Sequence, residues 1–111
     1  MIRNLQEYES WLDELDKRLF VKNNAIHSEF GPGFSVALSA CHTEEEIIGY
    51  SVTFARTLDQ HLFGLPIKYL IERFVWLVVN SQHLPFNSEE LSQKANQAVS
   101  QRHSVWVPPN T

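Results

Sequence analysis

The stretch Thr43-Glu44-Glu45-Glu46-Ile47-Ile48-Gly49-Tyr50-Ser51-Val52-Thr53-Phe54-Ala55 can be read with two periods, and the choice between them decides the fold. With a period of two, Ile48, Tyr50, Val52 and Phe54 alternate with Gly49, Ser51, Thr53 and Ala55, the pattern of a strand with one apolar face. With the helical period, Thr43 and Glu46 stand at the spacing of a capping box and would open a helix running to Phe63. That helix would hold Gly49 and the β-branched Ile47, Ile48, Val52 and Thr53 in its interior, and would leave Ile48, Tyr50 and Val52 off its main apolar stripe. The strand is therefore the preferred reading. Upstream, Phe34, Val36, Leu38 and Ala40 alternate with Ser35, Ala37, Ser39 and Cys41. Together with the polar loop His42–Glu46, the two runs predict an antiparallel hairpin.

Outward from this hairpin the patterns become helical. From Asn4 to Phe20, Leu5, Tyr8, Leu12, Leu15 and Leu19 recur at three- and four-residue spacing, with acidic residues near the start and Lys17 and Arg18 near the end, as an amphipathic helix and its dipole require. Lys22-Asn23-Asn24 breaks that pattern, Ala25–Phe30 reads as an edge strand, and Gly31-Pro32-Gly33 makes a turn. Downstream, Gly64 and Pro66 mark a stop and a start. The helix they announce, from about Leu65 to Val79, is apolar on almost every side, with Lys68, Glu72 and Arg73 as its polar strip. Leu84-Pro85-Phe86 bends the chain, Asn87-Ser88-Glu89-Glu90 opens a last helix to about Arg102, and residues 104–111 form a short tail in which Ser104–Val107 could add a strand.

The fold class expected is thus α+β: an N-terminal helix, a small antiparallel β-hairpin or three-stranded sheet, then two helices, with an all-α protein of four helices as the alternative. A length of 111 residues fits a single globular domain. Hydrophobic residues at 43% and charged residues at 20% make a folding composition. The net charge of −4 and the scattering of Arg3, Lys17, Arg18, Lys22, Arg56, Lys68, Arg73, Lys94 and Arg102 along the chain predict no nucleic-acid partner. Cys41 is the only cysteine, so no internal disulfide forms. The early polar residues read as no secretory signal, and the apolar run from Leu65 is too short and too charged to span a membrane. A cytoplasmic protein is expected.

The residues that could carry chemistry are thinly spread. His27, His42, His61, His83 and His103 lack the three- or four-residue pairing of helical metal sites, so no metal and no cofactor are expected. Cys41 beside His42 could supply a nucleophile and a base, but a small buried side chain is the simpler reading. No catalytic residue is assigned, and an enzyme is the less favoured class. The leading expectation is a non-enzymatic protein-interaction domain that self-associates as a homodimer. Its basis is a surplus of apolar surface: one almost wholly apolar helix, three tryptophans, and little else to cover them. The alternative is a small-molecule-binding domain or small enzyme with a pocket between the sheet and the long helix. Tyr50, Phe54, Tyr69 and Trp76 would line that pocket, with Arg56 or His61, on a loop after the second strand, as polar anchor.

Overall fold

The computed structural model describes residues 5–30, 33–59 and 67–105. Its elements run α1 (Leu5–Arg18), β1 (Leu19–Lys22), β2 (Ala25–Ser28), β3 (Phe34–Ala37), a 3₁₀ turn (Leu38–Ala40), α2 (Glu44–Asp59), α3 (Ile67–Ser81) and α4 (Ser88–Val105). The fold is α+β, with a three-stranded antiparallel sheet in the order β1-β2-β3 and four helices among the described residues.

The sheet lies earlier in the chain than its strongest alternation suggests. The segment Ile48–Ala55, expected as a strand, is the middle of α2, and the hairpin of Phe34–Cys41 with Ile48–Ala55 does not form. What forms instead is a tight hairpin of β1 and β2 around Asn23 and Asn24, whose φ values of 54° and 59° are those of a two-residue type I′ turn. Asparagine tolerates this left-handed conformation better than most residues. The first helix therefore ends at Arg18 instead of Phe20, and β2 is the central strand, not an edge. Only the first four residues of the Phe34–Cys41 alternation remain extended.

Three hydrogen bonds show why the helix wins over 44–59. Thr43 Oγ1 accepts from the Glu46 amide at 3.1 Å, while Glu46 Oε1 accepts from the Thr43 and His42 amides at 3.0 Å each. This reciprocal capping box satisfies amides that a helix start would otherwise leave orphaned. The buried stripe runs Ile47, Ser51, Phe54, Ala55, Leu58, one helical face, and Ser51 joins it because its hydroxyl donates to the Ile47 carbonyl at 2.8 Å. Gly49 lies on the exposed face, where a β-carbon would meet nothing within 4 Å. The β-branched residues cost at most about 0.7 kcal/mol each relative to alanine. Full burial of Ile47 and Phe54, at roughly 1.5–3 kcal/mol apiece, outweighs that.

The helices α2, α3 and α4 pack on one another, with β1 against α3 and β3 against α2. The inner face of the sheet presents Leu19, Ile26, Ser28 and Val36, all buried, to this layer. Leu70, Ile71, Phe74, Val75, Val78 and Val79 of α3 are all enclosed within the one chain. At its end, α3 is closed by a Schellman motif: His83 takes φ 52°, its amide donates to Asn80 O, and the Leu84 amide donates to Val79 O at 3.0 Å. The Gln82 side chain then donates to the Cys41 carbonyl at 3.0 Å, fixing the corner before α2. Asn87 caps α4 through Oδ1, which accepts from the Glu90 amide at 3.0 Å, and the helix continues through Ser104 and Val105, which are therefore not a strand. Gly64, Pro66, Trp106 and Val107 lie outside the described residues.

Candidate functional site

The helical identity of α2 redistributes the residues expected to line a pocket. Phe54 is fully buried, its ring 5.3 Å from Phe74 and 5.7 Å from Phe34, with Phe34 and Phe74 at 6.3 Å. These three rings fill the space between the sheet, α2 and α3 with offset and edge contacts of the kind that build cores. Tyr50 is half-buried on α2 and packs at the edge of the core. Arg56 is exposed on α2, so it stands on a helix and not on a loop. His61 lies outside the described residues. Tyr69 and Trp76 remain, both on α3.

Trp76 is the feature that stands out. It is the one large hydrophobic side chain exposed among the described residues, at 45%. One turn earlier, the Arg73 guanidinium carbon sits 4.7 Å from the Trp76 ring centroid, within cation–π range. Arg73 Nη2 is also held by Asp16 Oδ1 of α1 at 2.8 Å, and its Nε is buried without a hydrogen-bond partner. The backbone beneath is fixed as well, since Asn80 Nδ2 donates to the Trp76 carbonyl at 2.9 Å. Tyr69, Arg73, Trp76 and Asn80 follow one another at three- and four-residue spacing, so they form one stripe along α3, with half-buried Leu77 beside it. The polar strip anticipated for α3 is only partly solvated: Lys68 is exposed, whereas Glu72 and Arg73 are half-buried.

Other chemistry-bearing residues have structural roles. The Cys41 thiol is fully buried, and burial, with the Glu46 charge second, pushes its pKa from 9.0 to about 11. A thiol held protonated is a poor nucleophile. His27 stacks on Phe20 at 5.7 Å, and its Nε2 lies 3.1 Å from the Lys22 carbonyl. His42 contributes its amide to the capping box, and His83 is the left-handed residue that ends α3. No group of three or more His, Cys, Asp or Glu among the described residues could hold a metal ion. Two open grooves lie among the described residues. One, of about 610 Å³, crosses the outer face of the sheet over Phe20, Lys22, His27 and Ser35. The other, of about 300 Å³, lies between the starts of α2 and α4 beside the Lys94–Glu44 ion pair of 3.2 Å.

The chain matches no protein-family model, no curated protein and no solved structure. No helix among the described residues is long and apolar enough to cross a membrane.

Proposed function

We propose that this protein is a non-enzymatic interaction domain that self-associates, with Trp76 of α3 at the centre of the contact. The observation that supports the reading is the exposed indole, held in place by a guanidinium that is itself tethered to another helix. Tryptophan and arginine are the residues most enriched at the energetic centres of protein interfaces. A side chain already ordered in the free protein loses less entropy on binding.

The magnitude of the contact follows from the exposure. A tryptophan offers roughly 250 Å² of surface, of which the exposed 45% is about 110 Å². Covering it stabilises a complex by about 3 kcal/mol at 25 cal/mol per Å². Two copies in a two-fold contact supply about 6 kcal/mol, against an association cost of about 4–15 kcal/mol. A dimer resting on this patch alone is weak. The surplus of apolar surface that first suggested association is largely absorbed within the chain, so the reading now rests on a local patch. Cys41, a buried free thiol, suits a reducing compartment such as the cytoplasm.

Sedimentation equilibrium across the micromolar to millimolar range tests the proposal. The expected result is a concentration-dependent rise in mass for the native chain that is lost in Trp76→Ala, with the variant still folded by far-ultraviolet circular dichroism. A native chain that stays monomeric throughout, or a Trp76→Ala variant that associates equally well, overturns it.

A further inference from the structure

We draw no further inference here: the strongest candidate, the open groove of about 610 Å³ across the outer face of the sheet over Phe20, Lys22, His27 and Ser35, is an unpartnered face and nothing in the structure shows what covers it.

Discussion

Gly49 is the residue at which the helical and extended forms of Ile48–Ala55 make opposite predictions. In α2 it sits mid-helix on the exposed face, and a β-carbon built there meets nothing within 4 Å. Replacing it with alanine therefore adds no clash, removes conformational freedom from the unfolded chain and improves helix propensity, together worth about 0.8–1 kcal/mol. For a chain of 111 residues, about 1 kcal/mol corresponds to a rise of about 4 °C in melting temperature. Gly49→Val separates the two structures. Valine loses rotamer freedom against the preceding helical turn, so it should recover only about a third to a half of the alanine gain. In a strand the order reverses, because β-branched residues are preferred there over alanine and glycine. Thermal unfolding followed by far-ultraviolet circular dichroism gives the ranking directly. Alanine above valine above glycine is expected, and valine above alanine would refute the helical assignment of α2.

The remaining predictions concern the core, the cap and the thiol. Phe54→Ala removes a fully buried ring stacked on Phe74 and should cost about 3–5 kcal/mol in urea unfolding, whereas a pocket-lining ring would be nearly dispensable. Thr43→Ala deletes the hydroxyl that accepts the Glu46 amide and should cost about 1 kcal/mol, measured the same way. The His42 amide, then the Thr43 amide, hold the Glu46 carboxyl below its usual pKa of 4.5. Since a lowered folded pKa favours the ionised form in the native state, its contribution is present above pH 4.5 and lost as the pH falls through that value to the lowered one. The acid limb of a stability–pH profile should therefore flatten in Glu46→Gln. Cys41, with its pKa raised to about 11, should resist a thiol reagent at pH 8 in the native state and react fully in denaturant. Rapid native labelling would show that the corner before α2 is open.

The parts of the fold that were legible are those where the apolar pattern and the backbone agree. The three- and four-residue spacing of α1 and the dense apolar run of α3 are amphipathic and buried helices whose side chains carry the period openly. Residues 44–59 were not legible by pattern because Ser51 interrupts the apolar stripe. A hydroxyl bonded to the carbonyl four residues back is as well satisfied inside a helix as an apolar group, yet it counts as polar in a sequence. Of the residues that looked misplaced on a helix, Ile48 and Tyr50 are half-buried at the margins of the stripe and Val52 is buried. The decisive local signal was the capping box of Thr43 and Glu46, which alternation outweighed although its chemistry was more specific. The hairpin of β1 and β2 hid for the converse reason. Leu15 and Leu19 are four apart, so the strand continues the helical period, and only Asn23-Asn24, with two left-handed residues, announces the reversal.

The same distinction governs the candidate site. An apolar side chain in a sequence carries no mark of whether it will be covered, and α3 holds both outcomes within three residues of each other. Phe74 and Val75 are fully buried, while Trp76 stands 45% exposed. Coverage depends on which elements surround the helix. With Ile48–Ala55 inside α2 instead of in a strand, a helical wall stands where the hairpin was expected, and α2, α4 and the sheet together enclose most of α3. Among the described residues Trp76 stays exposed on α3, and beside it Arg73 is paired with Asp16 of α1. An ion pair with side-chain exposures of 56% and 33% contributes little to stability by itself. Its physical effect is to hold the guanidinium against the indole, which orders a large apolar surface without burying it. Equal association by Trp76→Ala would therefore remove the reason for assigning this face a binding role.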